Sequence, residues 1–126
     1  MRDNASHLGL APSIAPAVLT ATATGSSVDL SGFNAATIVV QTGAIAGSGN
    51  FAPKVQESDD GTTWTDVAAA DLIGTFPTAL AASSIIKVGY KGYKRYVRPV
   101  LTLVSGTSIA AAASVIRGRA ASRPVA

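Results

Sequence analysis

Four carboxylates and the chain's only tryptophan fall within the stretch ESDDGTTWTDV at 57–67. Carboxylates beside an aromatic ring can hold a metal ion, a sugar or a catalytic water. Spacing argues against catalysis, because a glycosidase needs two carboxylates flanking a cleft from separate elements, whereas the adjacent Asp59 and Asp60 point apart. Calcium asks for more oxygens at alternate spacing than Asp59, Asp60 and Asp66 offer. The same letters spell a β-hairpin. Asp and Gly suit the turn, the Ser58 and Asp59 side chains can accept backbone N–H groups across it, and Trp64 opens the return strand, where its ring packs over the hairpin. The hairpin is the reading adopted, with ion or sugar contact as the alternative.

A second dense stretch, KVGYKGYKRYVR at 87–98, interleaves five cations with Tyr90, Tyr93 and Tyr96. Such interleaving suits a platform for single-stranded nucleic acid. It also suits a two-residue hairpin centred on Lys91 and Gly92, since tyrosine favours strands. Structure combined with protein contact is preferred, and nucleic acid is not the expected partner. Arg98, among apolar strand residues, is expected to pair with a carboxylate of the same or a neighbouring chain.

Other chemistries are short of residues. Cysteine is absent and His7 is the single histidine, which leaves no nitrogen or sulfur cluster for zinc and no serine–histidine–aspartate triad inside the domain. No enzyme, metal or cofactor is therefore expected, and no run approaches the length of a membrane span. Charged residues are 13% of the chain, half the usual share, while 48% is hydrophobic and mostly small, so much of the surface must be neutral. Neutral, small-residue surface suits packing against copies or a partner.

The charges are also segregated. Residues 1–71 carry two cations against seven acids, net −5, and residues 72–126 carry eight cations and no acid, net +8. Either the halves form opposite faces that join copies together, or they interleave in one sandwich and cancel locally.

The elements that must position these residues read as all-β. Short β-prone runs at 27–30, 37–42, 51–58, 64–68, 84–90, 93–104 and 108–117 alternate with turn letters about every ten residues, the pattern of an antiparallel β-sandwich or barrel-like single domain. TIVVQ and RYVRPVLTLV are apolar on both faces and are expected to be central strands covered on both sides. TLVSGTSIA reads as a hairpin. Asp3, Gly9, Pro12 and Pro16 argue against a signal peptide. The prolines instead suggest an extended N-terminal arm over 1–25 that lies on a partner, followed by the sandwich at 26–117 and a basic tail at 118–126.

The order LAPSIAPAVLTATATGSSVDLSGF, TIVVQTG, PKVQESDDGTTWTDVAAADLIGTF, KVGYKGYKRYVRPVLT and VIRGRA resembles a family of small virion structural proteins of tailed bacteriophages, across nearly the whole chain. The resemblance implies a non-enzymatic particle protein with a β-sandwich fold, and carries no catalytic residues. The resulting expectation is a capsid decoration (cement) protein on the virion surface, binding the major capsid protein and copies of itself, with a trimer suggested by the three-fold positions of capsid lattices. Expected contact residues are Leu8, Leu10, Ile14 and Val18 of the arm, Trp64 of the hairpin, and Lys91, Lys94, Arg95, Arg117 and Arg119. The alternatives are a tail or neck component and a carbohydrate-binding adhesion module using Trp64.

Overall fold

The computed structural model describes residues 5–120. Ten strands follow in chain order: β1 (Gly9–Leu19), β2 (Ala23–Thr24), β3 (Val28–Asp29), β4 (Phe33–Ala46), β5 (Asn50–Ser58), β6 (Thr65–Asp66), β7 (Leu72–Ile73), β8 (Ile85–Tyr90), β9 (Tyr96–Ser105) and β10 (Ser108–Ala120). They form two antiparallel sheets, one ordered β1-β10-β4-β8-β7 and one ordered β2-β9-β5-β6, with β3 also pairing β9. The chain is an all-β sandwich.

Period-two alternation explains the core. Ala36, Ile38, Val40 and Thr42 of β4 point inward, as do Ile109, Ala111, Ala113 and Val115 of β10. They meet Phe51, Val55, Val97 and Leu101 from the second sheet. β4 and β9 are central, as expected, but only one face of β4 is covered: Val39 and Gln41 look outward. Its β-branched residues serve strand propensity on both sides and core packing on one.

Within the stretch expected as an extended arm lying on a partner, Gly9–Leu19 is a strand of the sandwich itself. Gly9–Leu19 pairs with β10 from Gly9↔Arg117 to Leu19↔Ile109, with register breaks in the intervals that hold Pro16 and follow Pro12. Proline lacks a donor and is tolerated on an edge strand with such irregularities. Ser13 fastens β1 inward: its Oγ donates to the Ser26 carbonyl at 2.6 Å, and its own carbonyl accepts from Ser26 N at 2.9 Å. Gly25 is needed beside it, since a side chain there would run into Ser13 Oγ and the Pro99 carbonyl. At the other end the last strand runs on through 118–120, and residues 121–126 of the expected tail lie outside the described residues.

Two expected hairpins prove to be arches between sheets. Tyr90 pairs with Ala36 and Leu72, whereas Tyr96 pairs with Ser58 and Asp29, so 91–95 crosses from one sheet to the other. The SGT link likewise joins β9 to β10 in opposite sheets, and it nests against the β4–β5 link. There Gly106 has φ +82 and no room for a side chain against the Ser48 carbonyl. Turn letters specify a sharp reversal, but not whether the next strand rejoins the same sheet.

Candidate interaction surfaces

The acid-rich stretch forms the hairpin that the sequence indicated, with Gln56↔Asp66 and Glu57↔Thr65 paired. Buried Ser58 organises its turn: the hydroxyl accepts from Asp60 N at 3.2 Å and Gly61 N at 2.9 Å. Asp60, rather than Asp59, supplies the second acceptor. Its Oδ1 takes the N–H groups of Thr63 at 3.0 Å and Thr62 at 2.9 Å and the Ser58 hydroxyl at 3.0 Å. Those donors hold its carboxyl far below the usual carboxylate range. Gly61 provides the left-handed residue, at φ +77. Asp66 faces Gln56 Nε2 at 3.1 Å and Lys54 Nζ at 3.3 Å, which lower its pKa. The hairpin acids are thus engaged within the protein, and among the described residues no three His, Cys, Asp or Glu side chains converge on one point.

Trp64 lies half-buried at the end of this turn with the Arg98 guanidinium 4.2 Å from its ring centre. Arg98 Nε also donates to Gln56 Oε1 at 2.9 Å. Within the chain, Arg98 thus meets an amide and an aromatic face rather than a carboxylate, a stacked arrangement suited to the planar guanidinium.

The 91–95 arch is anchored by Tyr90, whose buried hydroxyl donates to Glu57 Oε1 at 2.7 Å and accepts from Lys94 N at 3.1 Å. Burial, and then Glu57, push this phenol's ionisation well above its ordinary value. Lys94 pairs with Asp59 at 2.7 Å, and Arg95 grips Asp29 through Nε at 3.0 Å and Nη2 at 2.9 Å. The Arg95 hydrogen bonds, with one from Ser31 N, lower the Asp29 pKa from 3.8 to about 2. Arg117 lies over Phe33, 4.6 Å from the ring centre, and donates to the Asp29 carbonyl at 3.2 Å. Phe33, Tyr90, Lys94 and Arg95 border an open cleft of about 450 Å3 beside Tyr93, which is 87% exposed.

Two ion pairs, Lys94–Asp59 and Arg95–Asp29, thus join the acidic and basic halves of the chain, so the charges interleave and do not form opposite faces. Of the cations expected to make contacts, Lys94, Arg95 and Arg117 are engaged internally. Lys91 and Arg119 are exposed and lack an ion pair among the described residues.

The apolar contact residues divide as well. Ile14 is a core residue, 7% exposed, because it faces Ala113 on the inner side of β1. Leu8 is half-buried near Gly118, whereas Leu10 and Val18 are 70% and 67% exposed on the outer face of the five-stranded sheet.

That outer face emerges only from the register. One row across it reads Leu10, Ile116, Thr37, Gly89, Ile73. The next reads Pro12, Ser114, Val39, Lys87, and a third Ala112, Gln41, Ile85. Lys87 is the single charge among these residues. Ile73 and Ile85, 62% and 65% exposed, were not singled out from the sequence, although IIKVG alternates in the manner that places Ile85 and Lys87 on one side. Small residues sink β10 into a groove, floored by Ala110, Ala112 and Ser114 and walled by Pro12, Pro16, Val39 and Gln41. The outside of the other sheet differs, carrying Lys54, Gln56, Asp66 and Arg98 in mutual contact.

No known protein-family profile matches the chain, and no curated protein matches it in sequence. Solved structures do resemble it. The SPBc2 prophage-derived protein YomS is 13% identical with a TM-score of 0.49, over 87% of this chain and 93% of that one. A chain of infectious bursal disease virus, Gx strain, is 14% identical with a TM-score of 0.44, over 87% and 31%. The PBSX exported protein XepA superposes on 100% of this chain at 15% identity and a TM-score of 0.60, and the match spans 41% of XepA. The likeness to XepA is one of fold: a sandwich of this design also occurs as part of a longer protein.

Proposed function

We propose that this chain is a structural component of a bacteriophage virion, and specifically a capsid decoration protein that binds the outside of the major capsid lattice and stabilises the DNA-filled head. One observation carries the reading: a five-stranded sheet presents an outer face whose three central rows hold a single charge, Lys87, with Leu10, Val18, Ile73 and Ile85 largely exposed. A face of this kind is characteristic of surfaces that end up covered. The sequence resemblance to virion proteins of tailed phages says where such covering would take place. The shared fold with a segment of XepA is compatible with it.

The mechanism is linkage. A protein that binds only the expanded lattice stabilises that state by mass action, and many copies add avidity without any strong single contact. Exposed Tyr93, Lys91 and Arg119 are the groups offered to the shell. The hairpin acids and Trp64 play structural parts, which weighs against a sugar-binding module, since Arg98 already stacks on the indole. No catalytic step is proposed.

The test compares particles with and without the protein during heating or mild chaotrope treatment, with electron microscopy of the same particles. Greater DNA retention with the protein present, and density on the head, is the expected result. Equal retention overturns the decoration role, and density confined to the tail assigns the protein there instead.

A further inference from the structure

The outer face of the five-stranded sheet has a property beyond being apolar: its rows are complementary to themselves. We infer that this face is closed by a second copy of the same chain, about a two-fold axis running along the outer side of β4. The inference rests on reading the face as an assembly surface, and it names the partner.

A two-fold axis along β4 keeps each row at its own level and exchanges left with right. With the strand order β1-β10-β4-β8-β7, β10 then faces β8 of the other copy, and β1 faces β7. In the third row this sets exposed Ile85 over Ala112, in the floor of the β10 groove. In the first row it sets Ile116 over Gly89, and Leu10 against Ile73. In the second row Lys87 lies over Ser114, while Val39 meets its own counterpart. Large side chains therefore fall on small ones, and the exposed apolar residues at the two margins cover each other. Such isologous matching is what a two-fold contact requires.

Charge agrees with this choice of occupant. Within these three rows the face offers nothing for an acidic or basic partner to pair with, apart from one lysine. β7 pairs β8 only at Gly89 and Tyr90, so the edge beside Lys87 is open and its long stem can carry the ammonium out to water. The area sets the strength of the contact. The twelve residues of the three rows, each covering about 4.8 by 6.8 Å, give roughly 400 Å2 per copy. That totals roughly 800 Å2, below the range of stable specific contacts, so the dimer is expected to be weak and reversible.

The absence of cysteine makes the test clean. Val39→Cys, next to the axis, should be joined to its counterpart by a short bifunctional maleimide in the full-length protein, whereas Lys54→Cys on the opposite sheet should not. Sedimentation should show a mass near twice 12.6 kDa that falls with dilution. Ala112→Glu and Ile85→Asp should each shift it to the monomer with little change in melting temperature. A monomer at every concentration, a trimer, or equal joining through Lys54→Cys would overturn the inference. A monomeric protein that still protects DNA-filled particles would leave the decoration role standing and remove only this contact.

Discussion

Tyr90 and Glu57 join the two sheets through one hydrogen bond, 2.7 Å from phenol to carboxylate, and Lys94 N–H binds the same phenol from the arch between them. Tyr90→Phe leaves the Lys94 amide and the Glu57 carboxylate each short of a partner. The expected loss is about 1–2 kcal/mol, or roughly 4–8 °C in melting temperature for a domain of this size. Urea unfolding of the two proteins measures it. Unchanged stability would show that water substitutes for the phenol.

Asp29 makes the fold acid-sensitive. Its folded pKa of about 2 lies below its ordinary value of 3.8, so its contribution is complete above pH 3.8 and disappears as the pH falls through about 2. Asp29→Asn should therefore melt below the parent at pH 6, with the gap closing between about pH 4 and pH 2. A gap of constant size down to pH 2 would remove the Arg95 pair as its source.

In the hairpin, stability is expected to follow the hydrogen bonds rather than the charge. Ser58→Ala strips the acceptor for two backbone N–H groups at a buried site and should cost about 1–2 kcal/mol. Asp59→Asn breaks only the exposed pair with Lys94 and should cost at most about 0.5 kcal/mol. Millimolar calcium should leave the melting temperature of the parent unchanged. A rise that vanished in Asp60→Asn would restore the ion-binding alternative.

Ile14 and Leu10, four residues apart on β1, should respond oppositely to truncation. Ile14→Ala opens a space in the core and should cost about 2–4 kcal/mol. Leu10→Ala, on the outer face, should change monomer stability by no more than about 0.5 kcal/mol. Similar small effects at both positions would mean that β1 is not an integral strand.

The strands were legible in the sequence because Thr37–Thr42, Phe51–Ser58 and Ser108–Arg117 combine β-branched residues with period-two burial, and the Ser58–Trp64 turn carries its own chemistry. Sheet membership was not. Lys91–Gly92 and Gly106–Thr107 use the same letters whether the chain folds back on its neighbour or crosses the core. Pro12 and Pro16 suggest an extended arm, and only β10 opposite them shows an edge strand. Arg98 was expected to seek a carboxylate because nothing local shows Trp64 above it. The outer face was the least legible feature: Leu10, Ile116, Thr37, Gly89 and Ile73 come from five separate strands, and only strand register sets them in one row.

The placement of β10 also governs when the fold can exist. This strand follows the other nine along the chain, yet it is the partner of β1 and lies between β1 and β4. During synthesis, β1 must wait for about a hundred intervening residues before it has anything to pair with. The five-stranded sheet closes only after β10 has left the ribosome, on the millisecond-to-second scale of strongly non-local β folds. The newborn chain thus has no finished outer face until the whole sandwich is complete.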